Sequence, residues 1–396
     1  MPSEEFRRLD ALLNVGLGLA RRARSGRLLL ARIADSIDLG WIPRPWGEEI
    51  AGELEAALAN TSEPLSERDV HRVLRDAWGA RPTDELDDLE PDPVAVTPGA
   101  QVHRGTLDGE PVAVKVLRPG LTASVRQDLA LLELLAGPLG SAFPGVDPAL
   151  VTHEFRERVL EELDLEHEAE VQRRFHRALR GHPFLSVPAP VMRLCHESVL
   201  VSQWADGVSL WKAPDPDVAA ARLVAFGIGA PVTIGVSHAD LHPDNVIVRS
   251  DGSLVILDFG ATRQINAGRA AAAVAVLDAV IGDDGEALGG AMASLGWLPA
   301  EHGPTAAQLA RHALGELGKP GRARLDHAAV IAARDRALQR PDLTGVLLLA
   351  GSPPAEDLWP ARGFAVMLAT VARIGATADW PTLLRAALTE GWDVKR

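Results

Sequence analysis

Two short polar segments that flank an apolar hairpin constrain the fold of this chain more than any other feature. The first runs from His238 to Asn245 with the sequence His-Ala-Asp-Leu-His-Pro-Asp-Asn, and the second is Asp258-Phe259-Gly260. Between them, two runs of valine, leucine and isoleucine surround an Asp-Gly pair, which is typical of a β-hairpin. We therefore predict an antiparallel hairpin that carries Asn245 and Asp258 at its two ends.

The spacing of the polar residues in these segments indicates phosphate chemistry. Asp240 precedes Asn245 by five residues and Asp258 by eighteen. This is the arrangement of a kinase catalytic loop followed by an Asp-Phe-Gly metal site. Magnesium on phosphates favours hard oxygen ligands, which a carboxylate and an amide supply without a closed protein cage. The two segments therefore predict phosphoryl transfer or ATP hydrolysis.

The charge of the chain argues against nucleic-acid binding. The chain has 54 acidic and 40 basic residues and a formal net charge of −14, whereas nucleic-acid binding needs a basic surface that neutralises phosphates. The single cysteine, Cys195, permits no internal disulfide and no cysteine-based zinc site. Because this fits a reducing compartment, we expect a cytoplasmic protein that binds a nucleotide and no nucleic acid.

The sequence predicts no membrane-spanning helix and leaves a peripheral membrane contact as an alternative. The first residues are charged, unlike a cleaved secretory signal. No uninterrupted apolar run reaches the ~18 residues that indicate a membrane-spanning helix. The stretch Leu28–Leu30, with Arg27 and Arg32 beside it, fits a helix on a bilayer surface or a core-facing helix. We favour the core-facing helix and keep the peripheral contact as the alternative.

A change of hydrophobic period marks a domain boundary near residue 90. Apolar residues recur at helical spacing from Leu9 to Leu58, and Ser66 with Asp69 resembles the capping box that opens a helix. The acidic, proline-containing stretch Asp84–Pro93 ends this pattern. Beyond it the period changes to two, around a Leu-Asp-Gly-Glu turn, which predicts an antiparallel hairpin.

The predicted fold is α+β and two-lobed. We predict an N-terminal helical extension over 1–90, a small antiparallel-sheet lobe with inserted helices over 91–205, and a mainly helical lobe over 206–396. Further predicted elements are a helix from Thr122 to Leu135, a longer one from Asp147 to about Arg180, strands at Val187–Val191 and Val199–Trp204, and helices from Asp217 and from Gly268, the last with breaks at 282–285, 299–304 and 353–360.

A nucleotide site also needs a cation for the phosphates and a carboxylate that holds this cation. The strand Val112-Ala113-Val114-Lys115 supplies a lysine. The carboxylate is expected on the following long helix, whose candidates are Glu161, Glu162, Glu166, Glu168 and Glu170. Spacing alone does not choose among them.

Three motifs in kinase order resemble the UbiB/AarF family of atypical kinases, which includes the mitochondrial coenzyme Q kinases. The strand motif Val-Ala-Val-Lys-Val-x-Arg-Pro-Gly is matched in full from Val112 to Gly120. The glutamate-rich helix motif is matched from Glu162 to Ala169, with Leu165 in place of an aromatic residue. The catalytic loop from His238 to Asn245 matches at six of eight positions. The resemblance covers about residues 94–265 and implies a protein-kinase-like fold.

The resemblance also implies a role for each matched residue. Lys115 is implied to contact the ATP phosphates and to pair with Glu168. Asn245 and Asp258 are implied to bind Mg²⁺, and Asp240 is implied to be the catalytic carboxylate. Further residues implied at the nucleotide are Glu162 and Asp164, from an additional Glu-x-Asp motif, and Ala100 and Gln101, at the end of the family's alanine-rich loop.

The chain departs from the family pattern around the acceptor. The family carries a Lys-x-Gly-Gln motif in its N-terminal extension, and residues 1–90 contain no lysine. Asp244 replaces a glycine, which resembles small-molecule phosphotransferases of the aminoglycoside type. Pro98 in the alanine-rich loop removes a backbone donor. We therefore expect that the nucleotide site is complete and that the segment covering the acceptor position differs from that of the family.

Three functional hypotheses follow. The first is an enzyme, an ATP- and Mg²⁺-dependent atypical kinase or ATPase that supports quinone or isoprenoid lipid metabolism. The second is a small-molecule phosphotransferase, for which Asp244 is the motivation. The third is a nucleotide-switched binding protein without turnover, suggested by the large part of the chain outside the matched segment. The acceptor, a small molecule, a lipid or a protein, is left open.

Overall fold

The computed structural model describes residues 63–127, 129, 130, 153, 156, 157, 159–351 and 354–393. The helices predicted between Leu9 and Leu58, the Leu28–Leu30 stretch and most of the extension over 1–90 lie outside these residues. So does most of the sequence between Ala130 and Val159, where the predicted helices through Leu135 and from Asp147 fall.

Helices and short strands alternate through the described residues. The helices are α1 (Glu67–Trp78), α2 (Pro82–Glu85), α3 (Leu165–Ala178), α4 (Pro216–Ile234), α5 (Ala267–Gly282), α6 (Gly285–Leu295), α7 (Gly303–Leu314), α8 (His327–Leu338), α9 (Pro341–Ala350), α10 (Ala355–Ile374) and α11 (Trp380–Glu390). The strands are β1 (Asp88–Leu89), β2 (Ala95–Val96), β3 (Ala100–Leu107), β4 (Glu110–Leu117), β5 (Leu185–Ser186), β6 (Val199–Gln203), β7 (Val208–Ser209), β8 (Val236–His238), β9 (Val246–Val248), β10 (Leu254–Ile256), β11 (Thr262–Gln264), β12 (Ala323–Leu325) and β13 (Ala376–Ala378).

The chain divides into two units. The first contains the described residues up to Ala178 together with Val187–Ala205 and Asp258–Ala261. The second contains Leu179–Ser186, Asp206–Leu257 and the residues from Thr262 onward. The chain therefore passes through the first unit again at the Asp-Phe-Gly segment.

An antiparallel sheet with strand order β1-β3-β4-β6, in which β2 also pairs with β3, forms the centre of the first unit. The predicted hairpin is confirmed as β3 and β4, with Leu107 opposite Glu110. Its turn residues Asp108 and Gly109 have φ angles of 52° and 81°. An Asp-Gly turn of this kind matches the twist of the two strands because both residues tolerate positive φ.

Each face of this sheet packs against a different helix. Val112, Val114 and Val116 of β4 lie in one core cluster with Val70 and Leu74 of α1. Leu117 of β4 lies in a second cluster with Leu165 and Ala169 of α3. Successive strand residues alternate between faces, so the period-two pattern of β4 builds both clusters. As predicted, α1 is capped by Ser66, whose Oγ accepts a hydrogen bond from the amide of Asp69.

The second unit combines most of the helices with three small sheets. One sheet has the order β5-β10-β9-β7, and two others are the antiparallel pairs β8 with β11 and β12 with β13. The predicted hairpin between Asn245 and Asp258 is confirmed as β9 and β10. The strand pairs are antiparallel except for β5 with β10, and their combination with many helices confirms the predicted α+β class.

Several element predictions were wrong. The predicted helix up to Arg180 is interrupted at Glu162–Asp164, because the carboxylate of Asp164 accepts hydrogen bonds from two amides and starts α3. The predicted strand Val187–Val191 forms a single bridge, from Pro190 to Ser202, because Pro188 and Pro190 have no amide hydrogen for a ladder.

In the C-terminal part, the helices are interrupted by the pair β12 and β13, which the sequence pattern did not reveal. The predicted break at 353–360 also ends early. Helix α10 already begins at Ala355 and contains Pro360 in its first turns.

Among the described helices, α4 has the length and composition that would allow it to cross a bilayer. Half of its most apolar window is buried within the protein. Leu223, Val224 and Phe226 on this helix have no solvent exposure. This is the burial of a core helix, and α4 carries Asp217 and Arg222, which interrupt its apolar run.

Candidate active site

The strand β4 directs Lys115 away from the valine cluster. Val114 and Val116, its neighbours in the chain, are fully buried on the face that packs against α1. Lys115 therefore points to the opposite face, where α3 lies, and it pairs in register with Val102 and Leu200 on either side. On β4 itself, the neighbours of Lys115 on this face are Ala113 and Leu117.

Lys115 lies between two carboxylates. Its Nζ donates hydrogen bonds to Oε1 and Oε2 of Glu168 at 2.9 and 2.8 Å and to Oδ2 of Asp258 at 3.2 Å. The exposed fractions of the side chains are 19% for Lys115 and 2% for Glu168. Of the five candidate glutamates, Glu168 is thus the one that the fold brings to the lysine. Sequence spacing left this choice open, and the family resemblance made it correctly.

Two acidic side chains share one ammonium in this cluster. Burial disfavours the charged form of Lys115, but Asp258 and Glu168 outweigh it and raise the pKa of the ammonium above its ordinary value. Burial and the nearby charge of Asp258 raise the pKa of Glu168, although Lys115 opposes the shift. Lys115 therefore stays charged, and a further positive charge nearby would favour the ionised form of Glu168.

The backbone at Asp258 has an unusual conformation. Its φ is 55°, in the left-handed region that a residue with a side chain rarely adopts. The amide of Gly260 donates to Oδ1 of Asp258 at 3.3 Å, and the amide of Phe259 donates to Oε1 of Glu168 at 3.3 Å. The ring of Phe259 is fully buried and lies 4.9 Å from that of Phe175 on α3. This turn fixes the carboxylate of Asp258 beside Lys115.

The predicted Glu-x-Asp residues lie at the start of α3. Glu162 is buried, and its Cα lies 3.7 Å from the position that a Cβ on Gly260 would occupy. Oδ1 of Asp164 accepts hydrogen bonds from the amides of Glu166 and His167, both at 3.1 Å. The described role of Asp164 is therefore that of a helix cap, which orients the helix carrying Glu168. A direct nucleotide contact by either residue stays a prediction.

Gln101 does not share the face of Lys115. It pairs in register with Val116, so its side chain lies on the α1 face of the sheet. There it accepts a hydrogen bond from the amide of Leu65 and contacts Nε2 of His103 at 2.6 Å. The side chain thus anchors the segment before α1, and a nucleotide contact by Gln101 stays a prediction. Ala100 does share the lysine face, but it is buried in the apolar cluster.

The second unit holds the other predicted polar residues, Asp240 and Asn245. Asp240 is 6% exposed, and its amide donates to Nδ1 of His238 at 3.2 Å. Nδ2 of Asn245 donates to the backbone oxygen of Asp240 at 2.9 Å. This hydrogen bond uses the amide nitrogen and leaves the hard amide oxygen for a cation. Asp244, which replaces the family's glycine, has a side chain that is 69% exposed.

Sequence reasoning missed Arg362, which lies on α10. Its Nη2 donates to Oδ1 of Asp240 at 3.2 Å, and its Nη1 donates to the backbone oxygen of Ala239 at 2.7 Å. No motif or spacing links it to the catalytic loop, because the two paired residues are 122 positions apart.

Within the described part of the chain, no group of three or more histidine, cysteine, aspartate or glutamate side chains is arranged to hold a metal ion. A magnesium ion needs no such cage, since it retains waters and binds through one or two protein oxygens plus phosphates. Asp258 in the first unit and Asn245 in the second each offer the oxygen donors that such an ion prefers.

Comparison with known proteins gives consistent results. Residues 57–290 match the family model described as "ABC1 atypical kinase-like domain". The chain is 30% identical to "Probable protein kinase UbiB" of Marinobacter nauticus, over 51% of this chain and 40% of that protein. It is also 30% identical to "Protein ACTIVITY OF BC1 COMPLEX KINASE 1, chloroplastic" of Arabidopsis thaliana, over 60% of this chain and 37% of that protein. The chain thus spans about two fifths of the length of these relatives.

A solved structure extends the likeness beyond the matched segment. This chain is similar to the protein in the complex structure of Rv3197 with erythromycin from Mycobacterium tuberculosis. The match covers 95% of both chains, with a TM-score of 0.66 and 24% sequence identity. At this identity the likeness concerns the fold. Together with the family match, it confirms the protein-kinase-like fold that the sequence predicted.

Proposed function

The chain belongs to the ABC1 atypical kinase-like family, as its resemblance to UbiB/AarF kinases indicated, and from this premise we propose that it binds ATP with Mg²⁺ and transfers or hydrolyses the terminal phosphoryl group. The observation that carries this proposal is the pairing of the partly buried Lys115 with the buried Glu168 and with Asp258. A largely desolvated lysine held by two carboxylates has little value for stability, because desolvation offsets the attraction. Such a lysine instead offers an oriented positive charge that can bind phosphate.

Each residue of the cluster then has a task. Lys115 places its positive charge on the phosphates, and Glu168 keeps the ammonium oriented. Asp258 and Asn245 would hold Mg²⁺, which supplies neutralisation of phosphate charge when bound. Because Lys115 is held in advance, little reorganisation is needed when charge develops on the transferred group.

Asp240 would act on the acceptor. In the reaction, the acceptor oxygen bonds to the γ-phosphorus, the bond from this phosphorus to the oxygen of ADP breaks, and the acceptor's proton passes to Asp240. With water as acceptor, the same steps give ADP and inorganic phosphate. Alignment of the acceptor is the main contribution that a carboxylate makes in this position.

The test is a titration of ATP and ADP with and without Mg²⁺, followed by a turnover assay. We expect Mg²⁺-dependent nucleotide binding and release of ADP. Tight binding without turnover, together with altered affinity for a partner, would instead support a nucleotide-switched binding protein.

A small-molecule phosphotransferase is the second candidate. The exposed carboxylate of Asp244 in the catalytic loop supports it, and so does the neighbour of the same fold, which was solved as a complex with erythromycin. A screen of hydroxylated metabolites and quinone- or isoprenoid-type lipids with labelled ATP separates the classes. Label found only in inorganic phosphate would exclude a transferase for the compounds screened. We further propose a cytoplasmic location, for which the single cysteine is the support.

A further inference from the structure

The carboxylate of Asp240 forms a buried ion pair with Arg362. The side chains are 9% and 6% exposed, and the guanidinium donates to two acceptors, Oδ1 of Asp240 and the backbone oxygen of Ala239. Arg362 lies beyond residue 290, where the family match ends. The contact therefore joins the predicted catalytic residue to a part of the chain that no motif assigns to the site.

The structure fixes Arg362 from two sides. Its guanidinium carbon lies 5.3 Å from the centre of the Trp359 ring, at the distance of a cation–π contact. The next residue is Gly363, and a Cβ there would lie 2.7 Å from the backbone oxygen of His238 and 2.8 Å from Cα of Ala239. Only a residue without a side chain lets α10 approach the loop this closely, and this approach brings Arg362 to Asp240.

The backbone and the side chain of Asp240 are held by different groups. His238 and Asn245 bind its amide and its carbonyl oxygen, whereas Arg362 binds the carboxylate. The loop therefore sets the position of the residue, and Arg362 sets the rotation of its carboxylate. A guanidinium is suited to this task because its planar fork binds two acceptors at once, here Oδ1 of Asp240 and the backbone oxygen of Ala239, and so fixes direction as well as charge.

We propose that Arg362 is a positioning residue, which acts through Asp240 by holding its carboxylate in the orientation that receives the acceptor's proton. This inference rests on the proposed function. It predicts that Arg362 affects the chemical step and leaves nucleotide binding nearly unchanged, since Asp240 acts on the acceptor and Lys115 holds the phosphates.

The experiment compares Arg362→Ala, Arg362→Lys, Asp240→Asn and the double variant Arg362→Ala/Asp240→Asn in the full chain. We expect Arg362→Ala to lower kcat by about 100-fold, the scale of a misplaced catalytic group, with less than a threefold change in ATP affinity. Arg362→Lys keeps the positive charge but loses the planar guanidinium, so its kcat is expected to lie between those of the wild type and Arg362→Ala. Added guanidinium is expected to restore part of the activity of Arg362→Ala.

The double variant separates positioning from a structural role. If Arg362 acts through Asp240, the double variant loses no more kcat than Asp240→Asn alone. Arg385→Ala is the matched control, because Arg385 forms an exposed ion pair with Asp278 in the same unit, and its kcat is expected to stay at the wild-type value. Thermal unfolding identifies a variant that fails to fold, and Arg362→Lys then carries the comparison.

Wild-type kcat in Arg362→Ala, or losses that multiply in the double variant, would overturn the inference and leave the proposed function intact. Absence of Mg²⁺-dependent turnover in the wild type would overturn the proposed function and this role with it.

Discussion

Replacing Gly363 with alanine tests the close contact between α10 and the loop that carries Asp240. The added Cβ would lie 2.7 Å from the oxygen of His238, whereas a carbon–oxygen contact is normally about 3.3 Å. Because both nearest atoms belong to the backbone, no rotamer change relieves the overlap, and the helix and loop must separate by roughly 0.6 Å. Such overpacking costs about 1–3 kcal/mol, and the better helix propensity of alanine returns up to about 1 kcal/mol.

The assay is urea unfolding together with Mg²⁺-ATP turnover. We expect Gly363→Ala to lower the free energy of unfolding by up to about 2 kcal/mol and kcat by about tenfold, because displacements near 1 Å at a catalytic group cost up to about 100-fold. Gly290→Ala is the matched control. Gly290 lies inside α6 with no atom within 4 Å of its added Cβ, so this change is expected to stabilise by about 0.5–1 kcal/mol. Equal stabilisation and wild-type kcat in both variants would refute the packing argument.

Three further predictions concern Lys115, Asp164 and Cys195. Lys115→Met is expected to lower kcat by about 100- to 1,000-fold, as loss of a charge-stabilising donor does. The loss of ATP affinity, measured by titration, is expected to be smaller. Equal losses of kcat and ATP affinity would contradict a role of Lys115 mainly in the chemical step. Asp164→Ala is expected to destabilise by about 1 kcal/mol through loss of a helix cap, while Asp164→Asn keeps the stability; if both lose equally in urea unfolding, the capping argument fails. Burial raises the pKa of the Cys195 thiol to about 11 from an ordinary 9.0. Because the thiolate reacts, alkylation at pH 8 is expected to be about 100-fold slower in the folded than in the unfolded chain, and equal rates would contradict the burial.

The parts of the site that the sequence predicted are those carried by local pattern. The alternation of β4 identified a strand with a lysine on one face, and the two Asp-Gly turns identified both hairpins. Glu168 was selected by resemblance, because five glutamates on one helical segment cannot be separated by spacing.

The remaining features depend on contacts between distant parts of the chain. The direction of Gln101 follows from its register with Val116, which pairing alone determines. Arg362 meets Asp240 across 122 positions, and the contact depends on a glycine that sequence reading cannot distinguish from other helical glycines. Strands β12 and β13 have three residues each, too few for a period to emerge.

The central claim is tested most directly by Mg²⁺-dependent ATP turnover in the wild type and in Asp258→Asn. This change removes the carboxylate charge beside Lys115 at nearly constant size. We expect turnover that requires Mg²⁺ in the wild type and its loss in Asp258→Asn, with the variant still folded. Wild-type turnover in Asp258→Asn would contradict it.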